Sequence, residues 1–188
     1  GVGGQGIITA SKIIGDAALL AGQKVVLSET HGMAQRGGSV VCTARIGGDA
    51  GPLVPDGGAD VILSLELLET LRAACKASKG TVVLSSTERI VPLSVSTQKM
   101  RYPSEQEVVD RMSSVAGKVV MVDAAGLAER AGVPISSNVV MVGALAGSGA
   151  TGIGRGWFEQ ALKANIPRKL DENMWAFALG FDLCAGKC

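Results

Sequence analysis

Aromatic residues make up only 3% of this 188-residue chain, and charge of neither sign predominates, with 18 Lys and Arg against 17 Asp and Glu. The first scarcity leaves few rings on which nucleic-acid bases stack. The second leaves no net field to attract a phosphate backbone, so no nucleic-acid partner is expected. Cysteine is sparse: Cys42, Cys75, Cys184 and Cys188 include no Cys-x-x-Cys, and the single histidine, His31, lies far from all four in sequence. Cys184 and Cys188 stand one helical turn apart, but two thiolates without further ligands make a poor zinc or cluster site, and no metal is expected on this chain. Reduced thiols in the cytoplasm are the expectation. No basic segment followed by an apolar core opens the chain, so no secretion signal is expected. Long apolar runs are also lacking. The longest uncharged stretch, 131–154, is interrupted by Pro134, Ser136, Ser137, Asn138 and several glycines, whereas a membrane span needs ~20 apolar residues. No membrane association is expected.

What is present is apolar mass and glycine. With 47% hydrophobic residues the chain has enough Val, Ile, Leu and Ala to offset chain entropy, and its length suits one domain that buries roughly 70% of its unfolded-chain surface. The 26 glycines are about twice the usual share of ~7% and imply many tight turns and close backbone approaches. Along the chain, Ile7, Ala10, Ile13, Ile14, Ala17 and Leu20 recur at helical spacing, and Gly22 ends that helix. Residues 24–29 and 39–46 are β-rich. The segment between them is too short for a crossover helix, so the pair is expected to be antiparallel or to lie at a sheet edge. Strands are expected over 60–65, 81–85, 90–95 and 118–123, and helices over about 66–77, 104–116, 124–131, 137–146, 157–164 and 171–185, with Ser104 and Glu107 forming a capping box. Strands alternating with helices predict an α/β fold: a three-layer α/β/α sandwich with a mixed, largely parallel sheet, in a single domain over 1–188.

Two motifs carry chemistry. Gly1-Val2-Gly3-Gly4-Gln5-Gly6 satisfies G-x-G-x-x-G and opens directly onto the first helix, where outward-pointing amides suit an anion. Glu29 stands near where a dinucleotide fold places its ribose-binding acid. A stand-alone dinucleotide-binding domain is therefore one reading; glycines that merely let the first helix pack closely on the sheet are another. A loop of this kind normally follows a buried strand, so a native strand ahead of Gly1 is expected. The second motif is the run Ser28-Glu29-Thr30-His31-Gly32-Met33-Ala34-Gln35-Arg36-Gly37-Gly38. It sets an acid, an imidazole, an amide and a guanidinium at a strand end, where open α/β sheets border their ligand crevice. Arg36 suits a forked contact to a carboxylate or phosphate, and His31 a hydrogen bond or proton transfer near neutral pH. A loop that only fixes its own shape is the plainer reading.

GVGGQGIITASKIIGDAALLAG followed by SETHGMAQRGGSVVCTARIG resembles the small subunit of indolepyruvate:ferredoxin oxidoreductase. More broadly it is similar to the gamma subunit or domain of 2-oxoacid:ferredoxin oxidoreductases of the pyruvate/ketoisovalerate group. Glu66 and Glu69 ahead of Arg72, the run Asn138 to Ala144, and Glu172-Asn173 with Ala176-Phe177 and Gly180 fit the same pattern, so the resemblance spans nearly the whole chain. It implies the gamma-domain fold and a part in oxidative decarboxylation, in which an aryl 2-oxoacid and coenzyme A give an acyl-CoA, carbon dioxide and reduced ferredoxin. In that family thiamine diphosphate, magnesium and the iron–sulfur clusters are expected on the large (alpha) subunit. This chain has no thiamine-type GDG motif and no cluster-type cysteine spacing, so it is expected to bind no cofactor of its own and to be inactive alone. Its expected partners are the large subunit, coenzyme A and the 2-oxoacid at a shared site, and ferredoxin through the complex. Residues expected near substrate or at the interface are Gly3, Gly4, Gln5, Gly6, Glu29, His31, Gly32, Met33, Gln35 and Arg36; no catalytic residue is assigned.

Overall fold

The glycine loop runs into α1 (Ile7–Leu20), which Gly22 closes in the left-handed conformation (φ +74°). The computed structural model describes residues 1–31, 37–48, 51–91 and 101–186. Ala10, Ile13, Ala17 and Ala18 of α1 are buried, while Leu20 is 43% exposed. The helix is covered on two sides, by the following strands and by a later helix, so its buried face is shifted from the stripe that spacing alone suggests. Strands β1 (Val25–His31) and β2 (Val40–Ile46) form the expected antiparallel pair, with Glu29 opposite Cys42 and His31 opposite Val40.

Then follow β3 (Val61–Ser64), α2 (Leu67–Arg72) with a 3₁₀ turn over Ala73–Lys76, β4 (Val82–Ser86), α3 (Glu105–Val115) and β5 (Lys118–Val122). These strands form a parallel sheet in the order β3-β4-β5, each crossover containing a helix as parallel neighbours require. Side chains alternate with period two. Ile62 and Val83 pack beneath α2 and α3 with Leu67, Val108 and Met112, whereas Leu84 and Val122 face the larger core on the other side. The sheet is therefore covered on both faces, with helices above and below, and the architecture is α/β with a mostly parallel sheet. The capping box at α3 is formed as expected. The Ser104 hydroxyl accepts from the Glu107 amide at 3.3 Å, and the Glu107 carboxylate accepts from the Ser104 amide at 2.8 Å.

Among the described residues, the antiparallel pair β1-β2 and the parallel set β3-β4-β5 are separately hydrogen-bonded. One expectation needs correction. The strand expected over 90–95 does not begin at Ile90 or Val91, because the Ile90 amide donates to the Glu66 carboxylate at 3.1 Å instead of to a neighbouring strand. Residues 92–95 lie outside the described part.

The last four helices, α4 (Ala124–Arg130), α5 (Ser137–Ser148), α6 (Arg155–Asn165) and α7 (Leu170–Cys184), stack on the larger core. Helix α5 is buried almost throughout, which explains the apolar run in the long uncharged stretch. It lies against α7 so closely that a Cβ on Gly143 would stand 2.0 Å from the Phe177 carbonyl, and one on Gly180 would stand 2.0 Å from that of Val140. No helix among the described residues is long and apolar enough to cross a membrane.

Candidate functional site

The glycine loop and the C-terminal ends of β3 and β4 come together at one end of the sheet. Gly1 exchanges backbone hydrogen bonds with Val40, its carbonyl accepting from the Val40 amide at 2.8 Å and its nitrogen donating to the Val40 carbonyl at 3.1 Å. Val2 bridges Ser39, and Gly3 donates to the Gly38 carbonyl at 2.8 Å. On the opposite side, the Gln5 carboxamide accepts from the Val2 amide at 2.8 Å and donates to the Leu65 carbonyl at 2.7 Å. A side-chain amide thus ties the loop to the end of β3. Gly6 adopts φ +75°, and its carbonyl accepts from the Asn138 side chain at 3.1 Å. A Cβ on Gly6 would stand 2.5 Å from that amide nitrogen. Glycine is required here by both backbone conformation and space.

Beneath the loop sit two buried acids. The Ser39 hydroxyl donates to Glu69 at 2.5 Å, and the Arg72 guanidinium pairs with the same carboxylate at 2.8 Å. Glu66, 1% exposed, caps α2 by accepting from the Glu69 amide at 2.9 Å. Its other oxygen accepts from the Ile90 amide. Burial pushes the Glu66 carboxyl above its ordinary value of 4.5, and the charge of Glu69 adds to the rise, while the backbone amides of Glu69, Ile90 and Leu68 hold it down. Thr70 and Ser85 share a 2.7 Å hydrogen bond behind them. Among the described residues, two carboxylates and one arginine thus lie beneath the loop as a braced polar floor.

Of the residues expected at the site, Gly3, Gly4, Gln5 and Gly6 meet at this floor. Glu29 lies on β1, exposed, with β2 standing between its strand and Gly1. This differs from a dinucleotide fold, in which the acid ends the strand beside the loop. The backbone of His31 ends β1 opposite Val40. Gly32, Met33, Gln35 and Arg36 fall outside the described residues. Both ends of the segment that carries them are fixed beside the loop, since Val40 is bonded to Gly1 and the Gly37 amide donates to the Gly3 carbonyl at 3.2 Å. Sequence reasoning did not assign Ser39, Glu66, Glu69, Arg72 or Asn138 to the site. The one local signal was the pair of acids three residues apart directly after an apolar strand, the second followed by an arginine three residues on. Among the described residues no group of three or more His, Cys, Asp or Glu side chains is placed to hold a metal ion.

Residues 1–183 match the family described as pyruvate ferredoxin/flavodoxin oxidoreductase. The chain is 43% identical over 183 residues to an indolepyruvate oxidoreductase subunit IorB of Archaeoglobus fulgidus, covering 97% of this chain and 91% of that one. It is 31% identical over 152 residues to a pyruvate/ketoisovalerate oxidoreductases common subunit gamma of Thermococcus kodakarensis, covering 78% and 73%. In fold it is similar to the crystal structure of pyruvate oxidoreductase subunit PORC from Thermotoga maritima, with TM-score 0.71 and 22% identity over 97% of this chain and 92% of that one.

Proposed function

Because this chain belongs to the pyruvate ferredoxin/flavodoxin oxidoreductase family and is a subunit of a 2-oxoacid:ferredoxin oxidoreductase, we propose that it is the small subunit of an enzyme acting on indolepyruvate or a related aryl 2-oxoacid. The observation that carries this reading is the 43% identity along almost the full length of both chains. In the proposed reaction the bond between the oxo carbon and the carboxylate breaks, carbon dioxide leaves, and the acyl carbon joins the sulfur of coenzyme A. An electron pair passes to ferredoxin and a proton is released. A large subunit would hold thiamine diphosphate with magnesium, which would supply the electron sink for decarboxylation, and iron–sulfur clusters, which would supply electron transfer.

The contribution proposed for this chain is closure. Backbone bonds of Gly1 and Gly3 and the Gln5 side chain hold the glycine loop against β2, Gly37, Gly38 and the end of β3, and Ser39 is tied to Glu69 beneath it; in this proposal the 32–36 segment serves the shared site of the complex. Covering excludes water and positions the 2-oxoacid or coenzyme A, with Arg36 the group suited to an anionic substrate. We place the complex in the cytoplasm.

Reconstitution tests this. The two subunits mixed together should reduce ferredoxin with indolepyruvate and coenzyme A, and this chain alone should not. Turnover by the isolated chain, or failure of the two to associate, overturns the reading. In the complex, Arg36→Ala should lower turnover by about tenfold or more while assembly persists; assembly and turnover falling together would reduce the loop to an adhesive.

A further inference from the structure

Glu69 is 6% exposed, and its two oxygens have different partners. One accepts from the Ser39 hydroxyl at 2.5 Å, and the other from the Arg72 guanidinium at 2.8 Å. Stability is a weak reason for this arrangement. Burying a carboxylate costs free energy, and replacing a buried charged cluster by apolar side chains of similar volume is often neutral or stabilising. The carboxylate is nevertheless set firmly in place. The first turn of α2 is tied to the sheet, since the Ser64 hydroxyl donates to the Glu66 carbonyl at 2.9 Å and Thr70 shares its bond with Ser85. Within that turn, the Glu66 carboxylate takes the Glu69 amide. On the far side of the Ser39–Glu69 bond, β2 begins and meets the glycine loop. Val2 bridges Ser39, the Gly3 amide donates to the Gly38 carbonyl, and the Gly37 amide donates to the Gly3 carbonyl. Gly3, Gly37 and Gly38 have no side chains with which to fix their own place, so the Ser39 hydroxyl is the nearest side-chain anchor for all of them.

We propose that Glu69 is a positioning residue for the shared site: acting through the Ser39 hydroxyl, it fixes residues 37–39 and, through their backbone bonds, Gly3 of the glycine loop. This rests on the function proposed above, which brings that loop to the site shared with the large subunit. An ionised carboxylate only accepts, so the Ser39 hydroxyl donates to it, and a bond to a charged acceptor is about twice as strong as one between neutral groups. The anchor lies beneath the loop and leaves its outer face bare, as Gly4, at φ +108°, has open space where a Cβ would stand. A loop fixed from below in this way presents backbone, with no side chain intervening, to whatever the complex sets against it. Its misplacement by about 1 Å is enough to cost on the order of 100-fold in turnover when reacting groups are held there. Glu69 touches neither substrate nor cofactor in this scheme; it acts only through Ser39.

Ser39→Thr and Ser39→Val test this as a pair, because their side chains match in shape and differ in the hydroxyl. In the complex of the two subunits, Ser39→Thr should keep kcat/KM for indolepyruvate within about twofold of wild type, and Ser39→Val should lower it by about tenfold. The KM for ferredoxin should be the same in all three, since a loop displaced at the substrate side leaves the electron exit untouched. In a Glu69→Leu background the difference between Thr and Val should vanish. Glu69→Gln reads the same bond from its other end: an uncharged oxygen still accepts, so kcat/KM should fall by about threefold. Equal kcat/KM for Thr and Val, a Thr–Val difference that survives Glu69→Leu, or a loss of assembly that accompanies every loss of turnover overturns the inference. A second readout needs no substrate. In the unmixed chain, amide exchange at Gly3 and Gly37 should be about tenfold faster in Ser39→Val than in Ser39→Thr, and equal rates overturn the inference. If the wild-type complex fails to reduce ferredoxin with indolepyruvate, the proposed function falls, and the exchange rates alone then decide whether Glu69 fixes the loop.

Discussion

Gly6 and Asn138 show how single residues fix the site. The loop turns into α1 through a left-handed glycine whose missing side chain leaves room for the Asn138 amide. Gly6→Ala should cost ~1–2 kcal/mol from backbone conformation alone, with a steric share on top. In an Asn138→Ala background the steric share should vanish and the backbone share persist. A double-mutant cycle by urea unfolding measures this, and equal costs in both backgrounds would remove Asn138 from the account. Glu66 makes a pH-dependent contribution. Its folded-state carboxyl titrates above the ordinary 4.5 because it is buried, so the folded chain holds that proton more tightly than the unfolded one. The resulting stability is full below the unfolded value and is lost as pH rises through the folded one. Thermal melts from about pH 4 to about pH 8 should show wild type losing ground to Glu66→Gln as pH rises; parallel curves would contradict it. The site glycines and Gln5 were legible in the sequence, because a motif is a local pattern. The bond from Ser39 to Glu69 was not, since residues 30 positions apart meet only once β2 and α2 are placed.

At the scale of elements, helices bounded by local signals were the most readable. Ser104 and Glu107 form their box, and α1 stops at the turn made by Gly22. The antiparallel pairing of β1 and β2 followed from a link too short for a crossover. Ile90 misled, because a β-branched residue beside apolar neighbours looks like a strand whatever its amide is bonded to. The α5–α7 contact depends on Gly143 and Gly180, which fit the family resemblance but carry no local signal of the helix each one meets. Gly143→Ala gains ~1 kcal/mol of helix propensity but sets a methyl 2.0 Å from the Phe177 carbonyl. Overpacking of this kind costs ~1–3 kcal/mol, so the variant should be less stable. Equilibrium urea unfolding decides the sign, and a stabilised variant would show that the two helices part easily.

For the whole molecule, the two carboxylates under the glycine loop and the displacement of Glu29 onto β1 favour a loop that serves an assembly over one that grips a nucleotide unaided. Titrating the isolated chain with NADH or FAD should leave the fluorescence of the half-exposed Trp157 and Trp175 without a saturable change. Tight, saturable quenching would favour the stand-alone dinucleotide reading. The sequence by itself determined the α/β class, the antiparallel first pair, most helix boundaries and the family, because each rests on local spacing or on a linear motif. Only the tertiary structure decided that a glutamine side chain ties the loop to β3 and that Glu66 and Glu69 form the floor. Those outcomes depend on which distant backbone groups find partners after packing, and no local pattern of residues records that choice.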